Sequence, residues 1–328
     1  MKILSYNSDY DHQLYELHTS AFTTFSVFGL PWSSDVPTLQ SILTARKEFS
    51  PALSRLALGE KGEVLGHALW NPHTLRWLGK TWPVVILAPL GVAAEAQGKG
   101  VGSALIREGL EVCTRAGFSL ALVVGHEKYY PRFGWKTGIY GSVGIGVDIA
   151  GKLAKRDLPK LRPLVSTDEP ALRRLWELTH GTTPGVLEPD QGLGAWYSRV
   201  QGLASVALEV EGQVVGYARV NRRTLSQASG VLLAFTAQDG FWAHQLLAHL
   251  LDWEPHLQEL PGLTLPLHPQ SPGAAWFNGA SPVLDRWDAG MALALPGPQE
   301  AQLNHALEEI QRGQRAPLDL RWGPLFDE

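Results

Sequence analysis

The sequence predicts an α/β (α+β) chain made of two successive units, and three observations lead there. An apolar run at 84–90 feeds a glycine-rich turn that opens directly into a helix. The segment 56–71 slides without gaps onto 206–221, and the order of elements after the second copy follows the order after the first. At 328 residues the chain has room for about two domains, each with its own core.

The apolar run is rich in β-favouring residues and is broken only by Pro89. It continues through Leu90, Gly91 and Val92 into Gln97, Gly98, Lys99, Gly100, Val101, Gly102 and Ser103. A strand, loop and helix in this order present unpaired backbone N–H groups and the positive end of a helix dipole to whatever sits above them. Glycines there let an anion reach the backbone, so phosphate or pyrophosphate is the natural ligand and a nucleotide-like cofactor is expected. Spacing removes two cofactor loops. The dinucleotide fingerprint needs a third glycine where Ser103 stands, and no Gly-Lys pair is followed by Ser or Thr.

In the helix that follows, Val101, Leu105, Ile106, Leu110, Val112 and Cys113 occupy about half the circumference. Ser103, Arg107, Glu108, Glu111 and Arg115 take the other half, and Gly117 ends the helix. The single cysteine, Cys113, therefore reads as a small core residue and not as a nucleophile, and it leaves no internal disulfide or cysteine-based zinc site. A buried strand at 118–125 comes next, followed at once by His126-Glu127-Lys128-Tyr129-Tyr130-Pro131-Arg132-Phe133-Gly134-Trp135.

Gln97-x-x-Gly100-x-Gly102 resembles the [Q/R]-x-x-G-x-[G/A] motif with which GNAT-type N-acetyltransferases wrap the pyrophosphate of acetyl-CoA. Tyr130, Phe133, Gly134 and Trp135 match a second GNAT pattern, Y-x-x-[LF]-G-[FW]. The two together, in this order and separation, are similar to a broad bacterial GNAT subgroup over residues 1–150, with Ala94 where that family usually has proline. The resemblance implies direct transfer of the acetyl group of acetyl-CoA to a primary amine, with rate gained from positioning both reactants. It implies a cofactor site at Leu90 to Val92 and Gln97 to Ser103, with backbone N–H groups near Val92 polarising the thioester. It gives Tyr130 the role of general acid toward the CoA thiolate, the other reading being an aromatic spacer beneath CoA, and it leaves Tyr129 to packing. Phe22, Phe25, Phe28 and Trp32 fall where the family places its acceptor pocket, or else pack in the core.

The general base stays open. No ionisable side chain lies in 84–92, so His126, Glu127, His67 and a water relay to a more distant carboxylate all remain candidates. The same lack keeps a second class in view, a non-catalytic acyl-CoA sensor or scaffold.

The second half reads as a strand at 161–164 and a helix at 168–179 capped by Thr167 or Asp168. A strand at 231–235, a helix carrying Phe241, Trp242, Leu246, Leu247, Leu250 and Leu251, and closing strands at 263–267 and 289–295 follow. The charged stretch 152–160 separates a domain at 1–150 from one at 161–296, and 297–328 forms a C-terminal helix and tail. Where the first half has its phosphate loop, the second has Asp239 and bulky Phe241, and no Tyr-x-x-[LF]-Gly follows. This half is expected to be a degenerate GNAT-like copy that binds no acetyl-CoA. The architecture resembles mycothiol synthases and the enhanced-intracellular-survival acetyltransferases, although the third domain of the latter does not fit after 296. The resemblance thus implies tandem GNAT folds, each a mixed, mostly antiparallel twisted sheet flanked by helices.

Hydrophobic content of 45% with 18% charged residues is globular. A net charge of −4 without a Lys/Arg cluster argues against nucleic acid. The longest apolar run, 84–92, is too short to span a bilayer, and the first residues lack the apolar core of a signal peptide, so a cytoplasmic protein is expected. His244, His249, His256 and His268 lack H-E-x-x-H spacing, and no metal is expected. The expected partner is a small-molecule or peptide amine, without membrane or nucleic acid; oligomeric state is open, with a homodimer admitted.

Overall fold

The computed structural model describes residues 1–21, 47–149, 155–157, 159–197, 202–222 and 231–322. The first elements are β1 (Lys2–Ser5), α1 (Asp11–Ala21), β2 (Ser54–Leu58), β3 (Val64–Trp77), β4 (Lys80–Val92), α2 (Val101–Arg115), β5 (Leu120–Val124) and β6 (Gly141–Asp148). Then come β7 (Lys160–Pro163), α3 (Glu169–His180), β8 (Val186–Leu187), β9 (Leu203–Val210), β10 (Gln213–Asn221), β11 (Leu232–Ala237) and α4 (Gly240–Trp253). The last are β12 (Gly262–Leu265), β13 (Ser281–Arg286), β14 (Gly290–Ala294) and α5 (Glu300–Gln311).

The chain forms two compact units, and neither is a contiguous segment. The first comprises residues 1–74, 81–139 and 288–315; the second comprises 75–80, 140–287 and 316–328. In the first, the strands run in the order β1-β2-β3-β4-β5-β14, with β4 and β5 parallel and β14 antiparallel to β5. Its core gathers Leu14, Leu56, Trp70, Val85, Leu105, Ile106, Cys113, Val123 and Met291. Burial pushes the Cys113 thiol up to about 12, which suits a packing residue.

Helix α2 shows how local sequence fixes this geometry. Gly100, left-handed at φ 85°, starts it. Gly117, at φ 86°, ends it, with the Phe118 N–H reaching back to the Cys113 carbonyl in a Schellman motif. Between them Gly109 is buried, and a Cβ there would lie 2.1 Å from Nε1 of the buried Trp70 indole on β3. The missing side chain is what lets helix and sheet approach so closely. The expected apolar face is present, with Leu110 and Val112 only half-buried at its margin.

In the second unit β11-β10-β9-β7 form one antiparallel sheet, and β6 lies between β12 and β13 in another. Helix α4 buries Leu246, Leu247 and Leu250 in a core with Val206, Leu208, Ala218 and Phe235. Asp168 does not cap α3 with its side chain; its carboxylate accepts the Val165 N–H and the fork of Arg162. The Arg162 guanidinium holds that carboxyl below its usual range.

Both copies of the repeated hairpin exist. β2 pairs with β3 around Gly62 and β9 with β10 around Gly212, glycines at φ 82° and 78°, and each hairpin carries one register irregularity. The ending of the second half differs from expectation. The strand expected at 289–295 to close the second half is β14, which registers on β5 from Gly290 opposite Val124 to Ala294 opposite Leu120. α5 also belongs to the first unit, while β6, N-terminal to the expected boundary, belongs to the second. Short apolar strands announce burial but not which non-local edge will accept them, so periodicity could not reveal this exchange.

Gly109→Ala separates propensity from packing. Alanine gains up to about 1 kcal/mol of helix propensity, but overpacking against Trp70 costs about 1–3 kcal/mol. Urea unfolding should show a net loss of stability, and a gain would contradict the close approach.

Candidate active site

The site begins where a strand pair stops pairing. β4 and β5 are in register at Val84–Leu120, Val85–Ala121 and Ile86–Leu122, and β4 then runs on to Val92. Strands that part in this way leave backbone N–H and C=O groups facing an opening. Asn71 on β3, itself buried, steadies β4 there by donating to the carbonyls of Ile86 (3.2 Å) and Ala88 (2.7 Å).

Above the opening, the loop from Val92 to α2 folds back on itself, with Gln97 Nε2 donating to the Val92 carbonyl at 3.1 Å. Gly98 and Gly100 have φ of 72° and 85°, and a Cβ at either would meet nothing within 4 Å. Their glycines answer to backbone conformation and leave open space outside. Gly100 is the N-cap of α2 and provides no side-chain cap bond, so the N–H groups of the first turn keep their capacity to bind an anion. Gly102 is glycine for another reason, because a Cβ there would lie 2.9 Å from the Tyr129 hydroxyl. Lys99 is exposed, Leu90, Val92, Gly102 and Ser103 are half-buried, and Gly91 and Val101 are buried.

The segment after β5 supplies the opposite wall. The His126 carbonyl accepts the N–H groups of Tyr129 and Tyr130, forming a tight turn. Tyr130 is buried, its ring filling the space that a Cβ on Gly125 would need and meeting Trp135 and Tyr129 edge-on. Burial, reinforced by Tyr129, raises the Tyr130 phenol well above its ordinary value. The Tyr129 hydroxyl lies 3.3 Å from Ser103 Oγ in the first turn of α2, so Tyr129 is tied to the start of that helix as well as packed. Phe22, Phe25, Phe28 and Trp32 lie outside the described residues. Along α1 a cleft of about 600 Å³, lined in part by Gln13, Glu16, Glu63, Ala93 and Glu95, borders the same loop.

His18 was missed from sequence. Its Nε2 lies 2.8 Å from His67 Nδ1, and His67 Nε2 lies 2.8 Å from Ser54 Oγ, all three residues fully buried. Both ring nitrogens of His67 are thus engaged, which removes it as a base for the acceptor. Desolvation lowers His18 to about 3 and His67 well below its ordinary value, so both are neutral. A Cβ on Gly91 would sit 3.0 Å from the His18 ring, so Gly91 admits this histidine against β4. Leu14, Leu17 and His18 share one buried face of α1, a spacing that could have flagged the histidine.

In the second unit the corresponding helix start is filled. Asp239 caps α4, accepting the Trp242 N–H at 3.0 Å, and a Cβ on Gly240 would touch Trp276. Among the histidines there, His244 approaches the Trp276 carbonyl, His268 accepts the Gln270 N–H, His249 is buried and His256 is exposed. Among the described residues no group of three or more His, Cys, Asp or Glu could hold a metal ion, and no helix is long and apolar enough to cross a membrane.

These features define a class of site: a sheet opened between two parallel strands, with a glycine-started helix above the gap. A GCN5-related N-acetyltransferase from Anabaena variabilis shares the fold over 90% of this chain and 73% of its own, with a TM-score of 0.60 and 17% identity. Eis1 from Mycobacterium abscessus does so over 90% and 73%, with a TM-score of 0.55 and 17% identity. At such identities the likeness concerns fold alone. Residues 5–138 match the profile of the acetyltransferase (GNAT) domain. The uncharacterized N-acetyltransferase YjhQ of Escherichia coli is 44% identical over 109 residues, 33% of this chain and 58% of that protein. The chain spans about half the length of the curated relatives it matches.

The neutral histidine pair makes stability depend on pH. Unfolding restores imidazoles of ordinary value near 6.5 that bind protons the folded pair refuses. Their contribution is therefore present above about pH 6.5 and is lost as the pH falls toward 3, at up to about 1.4 kcal/mol per pH unit for each ring. Unfolding free energies measured from pH 7 to 4.5 should fall less steeply in His18→Leu/His67→Leu than in the parent; equal slopes would show that the pair is not held neutral.

Proposed function

We propose that the first unit binds acetyl-CoA at Leu90 to Val92 and Gln97 to Ser103 and transfers its acetyl group to a primary amine. The observation that carries this reading is the parting of β4 and β5 beneath an N-terminus of α2 that has no side-chain cap. Pyrophosphate suits the exposed N–H groups of that turn, and the thioester arm suits the gap, where main-chain N–H groups near Val92 would polarise its carbonyl.

The amine nitrogen forms a bond to the carbonyl carbon, the carbon–sulfur bond breaks, and the thiolate takes a proton from Tyr130. A phenol kept protonated by burial is in the right state for that step at neutral pH. The amine must shed its own proton. With His67 engaged on both nitrogens, His126 at the end of β5 remains the side chain nearest this role in the topology, beside a water relay. Glu16, Glu63 and Glu95 in the cleft along α1 suit an acceptor that arrives as a cation. The second unit, with Asp239 in the place of phosphate, has no role in binding acetyl-CoA in this reading.

Calorimetry on the intact chain should give one acetyl-CoA site, and acetyl-CoA should raise Tm by mass action. Gly100→Asp places a carboxylate in the anion site and a side chain at φ 85°, and it should abolish the shift; an unchanged shift would refute the loop assignment.

Turnover is tested separately by thiol release across a panel of primary amines. Tyr130→Phe should lower kcat by roughly 10²–10⁴-fold with acetyl-CoA binding retained. Tight binding with no turnover on any amine would favour a sensor.

A further inference from the structure

Beside the phosphate loop stand two arginines that the reading above leaves without a role. Arg107 lies one turn beyond Ser103 on the exposed face of α2, and Arg132 lies in the turn that carries Tyr129 and Tyr130. Their guanidinium carbons stand 5.3 and 5.8 Å from the centroid of one ring, Phe133. Arg132 also stacks 4.5 Å over Tyr129, and its Nε donates to the Tyr129 carbonyl. Neither arginine has a carboxylate partner among the described residues. The nearby acids are committed elsewhere: Glu108 forks to Arg55 and Glu111 approaches Arg115. The result is a pair of exposed, unneutralised guanidinium groups held in place by aromatic faces. Tyr129 couples them to the loop through its contact with Ser103.

Stacking restrains these side chains and so reduces the entropy lost when they grip a ligand, and the planar fork matches a phosphate in geometry and charge. Such a pair recognises an additional phosphate near a pyrophosphate that is already held by backbone N–H groups. Coenzyme A carries one, the phosphomonoester on the 3′-oxygen of its ribose, bonded to the same sugar as the pyrophosphate. Arg107 is displaced from Ser103 along the helix by about 6 Å, a separation of the right order for two groups on one ribose.

We infer that Arg107 and Arg132 bind the 3′-phosphate and make the site selective for coenzyme A over its 3′-dephospho form. This rests on the acetyl-CoA reading and adds the part of the ligand that the loop glycines do not address. The test is calorimetry of the intact chain with CoA and with 3′-dephospho-CoA at one fixed ionic strength. The proteins are the parent, Arg107→Gln, Arg132→Gln and the double variant.

The parent should prefer CoA by about tenfold or more, in line with one or two charge-assisted contacts at a partly exposed site. The double variant should bind both nucleotides alike, with its affinity for dephospho-CoA within about twofold of the parent's, which also shows that the loop is intact. Equal affinity of the parent for both nucleotides, or a preference that survives in the double variant, overturns the inference and leaves the acetyl-CoA reading standing. Loss of dephospho-CoA binding in the double variant shows that the arginines support the loop and do not read the 3′-phosphate. Failure of the parent to bind either nucleotide overturns the acetyl-CoA reading together with the inference.

Discussion

A parallel strand pair that stops after three residues is the constraint on which the first unit turns. Parallel pairing requires a crossover, and α2 is that crossover, so the gap and the helix start above it are made by the same connection. The close fit of Gly109 on Trp70 seats the helix on β3, and in the buried His18–His67–Ser54 chain the His18 ring lies against β4 at Gly91. Both contacts are short and buried; the first acts on β3, the neighbour of β4, and the second on β4 itself. Precision at the opening therefore comes from residues with no chemistry to perform on a substrate.

Much of the local structure of the candidate loop was legible because it depends on local sequence. Gln97, Gly100 and Gly102 sit at fixed offsets, α2 has a clear amphipathic period, and Tyr130 to Trp135 follow a strand at short range. The reasons behind the glycines were less legible. Gly98 and Gly100 are required by backbone torsion, Gly91 and Gly102 by the approach of His18 and Tyr129, and Gly109 by an indole 39 residues earlier in the chain. Contacts between residues far apart in sequence leave no periodic mark. The same limitation hid His18, and it hid the reach of the packed Tyr129's hydroxyl to Ser103.

The two units offer a controlled contrast in how a helix can begin. Both begin after a strand that feeds a short turn, and both turns contain a residue that sets the first N–H groups. In the first unit a left-handed glycine adds nothing of its own, and the donors face outward. In the second, Asp239 spends its carboxylate on the Trp242 N–H, which stabilises the helix and fills the place an anion would take. A carboxylate at a helix start is also favoured by the helix dipole. Its capping bond supplies the further reason that such a residue is favourable for the fold.

The exchange of β6 and β14 bears on how this protein is made. When synthesis has passed residue 140, the growing sheet ends at β5 with one edge bare, and the strand that will cover it lies about 150 residues away. An exposed edge of apolar residues invites pairing with other chains, and closing it must await a long-range encounter. The second unit cannot simply be pruned away by a deletion in its gene. Any cut between β5 and β14 would strip the first unit of its last strand, and so the second unit stays physically bound to its neighbour's survival.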